Sequence, residues 1–173
     1  PEFPEEVMAE VRNIPQTVQE EEKKNRRDLT NVVTVTIDGD SSKDFDDAVS
    51  VSRTDNGYNL KVSIADVSHY VKEGSALDTE ALKRSFSTYV TDRVVPMLPH
   101  ELSNGICSLN PHVERLALTC DMNVDLDGNI VDYEVYPSVI RSTERMTYNN
   151  VNKILNGNQR VQKEYEHLGD LFF

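Results

Sequence analysis

Alternating apolar and polar side chains predict a β-hairpin in the first half of the chain. Residues 58–65 place an apolar side chain at every second position, which is typical of a strand with one buried face. The dipeptide Asn56-Gly57 precedes this run and is typical of tight hairpin turns. We therefore expect an apolar run over residues 48–51 to turn back at Asn56-Gly57 and to pair antiparallel with 58–65.

A second hairpin shows the same pattern over a longer stretch. Apolar side chains alternate over residues 115–126 and again over 131–139. Asp127-Gly128, a second dipeptide of the hairpin type, lies between the two runs. The chain thus predicts a sheet whose neighbouring strands are mostly antiparallel.

The first 30 residues predict a helical, solvent-exposed lead-in. Val7, Met8 and Val11 form a short apolar stripe at helical spacing. Between Gln16 and Arg27 the acidic side chains come first and the basic ones last, an order that suits a helix dipole. We interpret this second part as a solvated surface helix, in preference to a basic patch for nucleic acid.

Three further helices are predicted, over residues 78–84, 148–155 and 158–173. Residues 86–110 are irregular, because Pro96, Pro99 and Gly105 interrupt them, and a loop of this length is usually functional or covers something. Helices combined with two hairpins predict a mixed α/β (α+β) fold, in which helices pack on a largely antiparallel sheet.

Length and composition exclude several classes of protein. The 173 residues are about one domain's worth, and 38% hydrophobic residues suffice for an ordinary core. No run of about 18 apolar residues is present, so we expect no membrane span, and the start of the chain does not have the pattern of a signal peptide. We expect both ends of the chain, Pro1 and Phe173, to be cuts in a longer protein.

The cysteines bear on the cellular compartment and on metal chemistry. Cys107 and Cys120 are too few for a disulfide framework and indicate reduced thiols in a cytoplasmic protein. With His100 and His112 they make up a conceivable zinc set. We disfavour that set, because softly ligated zinc sites normally show paired ligand spacing.

Negative charge is concentrated in one short window. The net charge is −12, from 18 basic and 30 acidic residues, which counts against a nucleic-acid binder taken alone. Five of the acidic residues fall within residues 38–47, namely Asp38, Asp40, Asp44, Asp46 and Asp47. Two carboxylates about 4 Å apart repel by about 4 kcal/mol at an effective dielectric constant near 20. Splaying into water, protonation or a divalent cation would relieve this repulsion.

Strand-like runs on both sides of the window favour the cation. Residues 32–37 lead directly into Asp38, residues 48–51 directly follow Asp47, and both runs are rich in β-branched side chains. The carboxylates therefore lie on a tight connection between two strands, and we expect Asp38 to fold over beside Asp47. Oxygen-only ligands on such a connection suit Mg²⁺ or Mn²⁺.

Two other interpretations of the window were weighed. A calcium-binding EF-hand fails, because Lys43 stands where that loop needs glycine and Val49 stands where it needs glutamate. A solvated acid-rich turn stays open. A phosphate-handling site fits better, because Asp44 and Asp46 share one face of an extended backbone, and two-metal sites hold their ions about 3.5–4 Å apart.

Four stretches of the chain resemble one family. They are TIDGDSSKDFDDAV at residues 36–49, IADVSHYV at 64–71, VPMLP at 95–99 and LSNGICSLNP at 102–111. Their order and spacing are similar to those of the ribonuclease II/ribonuclease R family in its catalytic RNB domain, closest to bacterial ribonuclease R. The resemblance implies residues 1–30 as a lead-in and 31–173 as the N-terminal half of an RNB domain.

The resemblance implies a 3′-to-5′ exoribonuclease that hydrolyses single-stranded RNA with Mg²⁺, or Mn²⁺ in its place, and releases nucleoside 5′-monophosphates. Asp38, Asp44, Asp46 and Asp47 match the family's four acidic residues, which implies metal binding by all four and a catalytic role for Asp44 and Asp46. Tyr89 matches the aromatic residue that stacks on a base, with a half-buried core residue as the alternative.

The resemblance also sets limits. The family's later catalytic arginine and glutamate would follow residue 173, and its flanking RNA-binding domains are expected to be missing here, so we expect the chain alone to be weakly active or inactive. Two other functions stay open. They are a different magnesium-dependent phosphoesterase and a non-catalytic metal- or RNA-binding module.

Overall fold

The computed structural model describes residues 2–91 and 93–173. Pro1, the first residue of the predicted lead-in, and Asp92 lie outside the described residues. Within the two described ranges, no helix is long and apolar enough to cross a membrane.

Strands and helices alternate irregularly along the described chain. The strands are β1 (Arg27–Leu29), β2 (Val35–Asp38), β3 (Asp47–Thr54), β4 (Gly57–Ala65), β5 (Thr88–Val90), β6 (Arg93–Val95), β7 (Glu114–Asp125), β8 (Ile130–Arg141) and β9 (Glu144–Thr147). The α-helices are α1 (Glu5–Arg12), α2 (Val67–Tyr70), α3 (Ala76–Arg84), α4 (Tyr148–Leu155) and α5 (Gln159–Glu164).

One sheet of seven strands organises the fold, in the order β1-β8-β7-β4-β3-β2-β9. Its central neighbours run antiparallel, and parallel pairing occurs at the two edges, between β1 and β8 and between β2 and β9. β5 and β6 form a separate two-stranded hairpin. The predicted α+β class with a largely antiparallel sheet is confirmed.

Both predicted hairpins form, and the first turn lies one residue earlier than expected. β3 and β4 pair as far as Thr54↔Gly57, so residues 55–56 make the turn and Gly57 already belongs to β4. Gly57 has a φ of +154°, and a Cβ atom there would lie 2.0 Å from the carbonyl oxygen of Val124 in β7. Glycine is therefore required by the close approach of two strands.

One face of the sheet buries hydroxyl groups where the other leaves apolar side chains exposed. On one face the hydroxyl groups of Ser63, Thr119 and Ser138 are buried in a row across three strands, at Oγ–Oγ1 distances of 2.8 and 2.7 Å. The adjacent residues Ile64 and Leu118 point to the opposite face and are exposed. The hydroxyl row can be buried because each member is hydrogen-bonded to its neighbour.

The predicted surface helix over residues 16–27 is wrong. The segment contains one turn of 3₁₀ helix, Glu20–Lys23, and then enters β1, which pairs with β8. An ion pair explains the difference, because Arg26 Nη2 lies 2.5 Å from Asp66 Oδ2 and both side chains are buried. This tertiary contact holds the segment on the sheet and overrides the local charge order.

The first helix is not solvated on all sides either. Val7 and Val11 of α1 are buried in a cluster with Leu77 of α3 and with Leu102. The lead-in therefore contributes to the core of the described molecule. A domain boundary near residue 30 stays a prediction.

Two other regions differ from expectation in detail. Residues 86–110 contain the β5–β6 hairpin and a short helix of π type, Glu101–Ile106. Residues 158–173 do not form one helix, because α5 is followed by a separate 3₁₀ helix, Glu166–Leu171. Gly169 interrupts that second helix with a φ of +53°.

Candidate functional site

The acidic connection, which we define as residues 38–47, joins the end of β2 to the start of β3. Because these strands are antiparallel neighbours, Asp38 and Asp47 lie at the same edge of the sheet. Asp47 is the strongest of the repelling charges that act on Asp38. The two residues are therefore neighbours across the connection, as the spacing predicts.

A buried aromatic residue anchors the inner half of the connection. Phe45 is 6% exposed, its N–H donates to Ser108 Oγ at 3.0 Å, and its carbonyl accepts from the N–H of Leu109 at 2.8 Å. The Ser108 hydroxyl donates in turn to the carbonyl of Lys43 at 3.1 Å. Fixing the backbone here fixes the positions from which the adjacent aspartate side chains project.

The four predicted ligands, Asp38, Asp44, Asp46 and Asp47, carry carboxylates without partners. In the described part of the chain, none of these carboxylates makes a hydrogen bond or an ion pair. Burial raises the pKa of Asp38, repulsion from Asp47 adds to the rise, and the positive charge of Arg145 opposes it. Partial desolvation of its carboxyl group raises the pKa of Asp46 although the residue as a whole is exposed, and repulsion from Asp44 and then Asp47 adds to the rise. These residues therefore form one electrostatic cluster.

The four carboxylates are not arranged as a complete metal-binding site. Across residues 2–91 and 93–173, no three His, Cys, Asp or Glu side chains are arranged so that they could hold a metal ion. The carboxylates are thus close enough to repel one another, but they do not converge on one point. In charge and donor type, unpartnered oxygen ligands fit a hard divalent cation such as Mg²⁺ or Mn²⁺. Their side chains would have to rotate toward a bound ion.

A cleft of about 640 Å³ adjoins the acidic connection. Asp44, Tyr89, His100 and Asn104 contribute to its lining. Tyr89 is 71% exposed, so the alternative of a half-buried core residue is wrong. The volume falls within the range of about 300–1,000 Å³ that is typical of small-molecule sites. Asp44 and Tyr89 therefore face one cleft, whereas the other three predicted carboxylates lie outside its lining.

Sequence reasoning missed the side chains that support the connection. Ser108 lies in one of the motif stretches but carries no signal of its own. Arg145 and Asn149 reach the connection from 106 and 109 residues further along the chain. No local pattern marks such distant contacts, because they depend on how β9 pairs with β2.

Comparison with known proteins decides the family. The model of the RNB domain matches residues 26–171. This chain belongs to the RNB domain family. The RNB chain is 54% identical over 173 residues to ribonuclease R of Thermotoga maritima, covering 99% of this chain and 24% of the relative. It is 50% identical over 170 residues to ribonuclease R 1 of Lactococcus lactis, covering 98% of this chain and 21% of the relative.

Solved structures agree with this family. The RNB chain matches Mycoplasma genitalium RNase R in complex with double-stranded RNA with a TM-score of 0.85 and 40% identity. The match covers 91% of this chain and 28% of that one. The predicted resemblance is confirmed, and the chain spans about a quarter of the length of these relatives.

Proposed function

We propose that this RNB chain is the metal-binding part of a 3′-to-5′ exoribonuclease that hydrolyses single-stranded RNA and releases nucleoside 5′-monophosphates. One observation carries the proposal. Among the described residues, the carboxylates of Asp38, Asp44, Asp46 and Asp47 have no partners, and Asp44 lines a cleft together with Tyr89. Carboxylates attract divalent cations and an exposed aromatic ring stacks on any base, which suits cleavage that does not depend on RNA sequence.

The relatives support an RNA substrate. The T. maritima and L. lactis proteins are ribonucleases R by name. M. genitalium RNase R has been solved with double-stranded RNA and with ribose-methylated single-stranded RNA. We extend RNA as substrate from these longer proteins to this chain. A cytoplasmic location and flanking RNA-binding domains in a longer polypeptide belong to the same proposal.

The four aspartates have different roles in our proposal. Asp38 and Asp47, at the two strand ends, would hold magnesium, or manganese in its place, with help from Asp44 and Asp46. When bound, such an ion lowers the pKa of water and neutralises charge on the attacked phosphate. Asp44 lines the cleft, and in our proposal it would act on the terminal nucleotide. Asp46 feels repulsion from both Asp44 and Asp47, and in our proposal it would orient water or the terminal ribose.

Tyr89 supplies the contact to the base. Stacking of a base on an aromatic side chain is worth about 1–3 kcal/mol and tolerates every base. The ring is free to stack because it is exposed at the cleft. The net charge of −12 opposes binding of RNA phosphates, and bound cations would offset the part that lies in the acidic connection.

The proposal is tested in a chain of the relatives' length. This chain replaces the matching segment of T. maritima ribonuclease R, and homopolymeric RNA and DNA of equal length are offered with magnesium or with a chelator. We expect stepwise shortening of RNA from its 3′ end, release of 5′-monophosphates, no shortening with the chelator, and intact DNA. The unmodified T. maritima enzyme is the positive control, and circular dichroism checks that the chimera folds.

Two results would contradict the proposal. Equal cleavage of RNA and DNA would indicate a different phosphoesterase. A folded chimera that binds RNA or calcium without cleaving would indicate a non-catalytic module. The chain by itself is expected to degrade RNA weakly or not at all, and rapid magnesium-dependent degradation by it would overturn that expectation.

A further inference from the structure

Arg145 lies where β9 runs beside the strand that leads into the acidic connection. β9 pairs parallel with β2, and Arg145 is opposite Thr36, two residues before Asp38. The side chain of Arg145 is partly buried. Its backbone is fixed by the sheet, and its side chain reaches over the end of β2 to the outer half of the connection, residues 39–42.

The guanidinium group binds this outer half through backbone oxygen atoms. Arg145 Nη2 lies 2.6 Å from the carbonyl oxygen of Gly39, 3.0 Å from that of Asp40 and 3.5 Å from that of Ser42. The group also lies 5.5 Å from the ring centroid of Phe45, the anchor of the inner half. One side chain therefore ties both halves of the connection to β9.

A second contact from the same part of the chain reinforces the first. Asn149, in the first turn of α4, donates from Nδ2 to Asp40 Oδ2 at 2.6 Å. Asp40 is the one aspartate of the acidic connection that is outside the predicted ligand set. Asn149 binds its carboxylate, whereas the other four carboxylates of the connection have no partner among residues 2–91 and 93–173.

From these contacts we infer that Arg145 is a positioning residue, which holds the backbone of the acidic connection in the conformation from which its four free carboxylates can rotate toward a divalent cation. The inference rests on the proposed function. Arg145 binds carbonyl groups and forms no ion pair with the four carboxylates, so it shapes the connection without occupying the cation's ligands. Supporting contacts of this kind typically change metal affinity by about 10–100-fold when they are removed.

The positive charge of Arg145 alone predicts the opposite change in metal affinity, so one substitution can test the inference. A positive side chain near a cation site repels the cation, so Arg145→Ala would tighten metal binding if Arg145 acted only as a charge. If Arg145 positions the connection, the same substitution weakens binding. Arg145→Lys keeps the charge but loses the planar group that meets several carbonyl oxygens, so its affinity should be intermediate.

The experiment measures Mn²⁺ affinity by calorimetry and amide exchange over residues 39–43, in the chain as it stands. Arg145→Ala should weaken Mn²⁺ binding by about tenfold and speed exchange in this segment. Arg141→Ala is the matched control, because Arg141 pairs with Glu114, away from the connection, and it should change affinity by less than about twofold.

The outcomes test two claims separately, the positioning role of Arg145 and the proposed metal site. Binding by Arg145→Ala as tight as wild type or tighter, or unchanged amide exchange, would overturn the positioning role. A folded wild-type chain that binds no Mn²⁺ would instead overturn the proposed metal site, and amide exchange would then still test the role of Arg145. If Arg145→Ala does not fold, Arg145→Lys and Asn149→Ala carry the same comparison.

Discussion

Two acid-rich turns of this molecule have opposite chemistry. The hairpin turn, which we define as residues 125–129, satisfies its own carboxylate, because Asp125 Oδ1 accepts from the N–H of Asp127 at 2.9 Å and of Asn129 at 2.8 Å. These hydrogen bonds lower the pKa of Asp125. In the acidic connection the pKa values of Asp38 and Asp46 are raised, and neither carboxylate has a partner in the part of the chain that the structure describes.

The difference shows that acid density does not by itself mark a site. Both turns follow a strand and both carry an aspartate, a glycine and a second aspartate within four residues. In the hairpin turn the backbone uses the carboxylate as a cap, which is a structural role. In the acidic connection the backbone is supported by other side chains, so the carboxylates other than that of Asp40 remain available to bind a ligand.

The largest predicted difference between the two turns is in catalysis. In the chimera with T. maritima ribonuclease R, Asp46→Asn should lower turnover by about 100-fold or more, because under the proposed function it removes a charged group from the reaction centre. RNA affinity should persist, since stacking and phosphate contacts remain. Asp125→Asn should leave turnover within about twofold of the parent. Equal turnover of Asp46→Asn and the parent would contradict the assignment.

The next prediction compares two exposed tyrosines, one at the cleft beside the acidic connection and one on the strand that follows the hairpin turn. Tyr89 at the cleft is 71% exposed and Tyr133 on β8 is 70% exposed. Tyr89→Ala should weaken binding of single-stranded RNA by about tenfold for every homopolymer, because about 1–3 kcal/mol of stacking is lost. Tyr133→Ala should not change it. Fluorescence anisotropy measures both, and equal losses would show that Tyr89 has no special role.

The smallest predicted effect concerns stability and pH without metal. Folding raises the pKa of Asp46, so the ionised carboxylate lowers the stability of the folded state as pH rises through the folded pKa. Asp46→Asn should therefore raise Tm near pH 7. In acid, where Asp46 is protonated, the variant should lose this advantage. Solvent screens the exposed Asp46 side chain, so we expect a few degrees at most.

Substitution of Asp125 should change Tm in the opposite direction. Its folded pKa is lowered, so its contribution is present above the unfolded pKa and is lost as pH falls through the folded pKa. Asp125→Asn should therefore lower Tm near pH 7, and the difference should shrink in acid. Thermal melts across pH measure both variants, and shifts of the same sign would contradict the contrast between the turns.

Much of the fold was predictable because local rules and tertiary contacts agree there. The alternation of residues 58–65 matches the extent of β4, although the buried residues there are Ser63 and Ala65 and not the alternating apolar ones. The helix predicted over 148–155 forms as α4, and Thr147 caps it, its Oγ1 accepting from the N–H of Asn150 at 3.1 Å. Residues 16–27 failed because the buried pair of Arg26 and Asp66 overrides a charge order that favours a helix. Such long-range pairs leave no periodic signal.

Of the candidate site, the sequence indicates the proposed ligands but not the side chains that support them. Closely spaced aspartates between strands, with a motif resemblance, indicate Asp38, Asp44, Asp46 and Asp47 and add Tyr89. The supporting side chains of Ser108 and Arg145 could not be found, because their contacts depend on a strand order that brings β9 next to β2. Sequence spacing also could not show that the carboxylates repel one another without converging.

Calorimetric titration of the metal-free chain with Mn²⁺ tests the central claim most directly, with Asp38→Asn and Asp125→Asn as the matched pair. The account predicts binding by the wild type, loss of at least about tenfold in affinity in Asp38→Asn, and unchanged affinity in Asp125→Asn. Equal affinity in both variants, or no binding by the folded wild type, would contradict it.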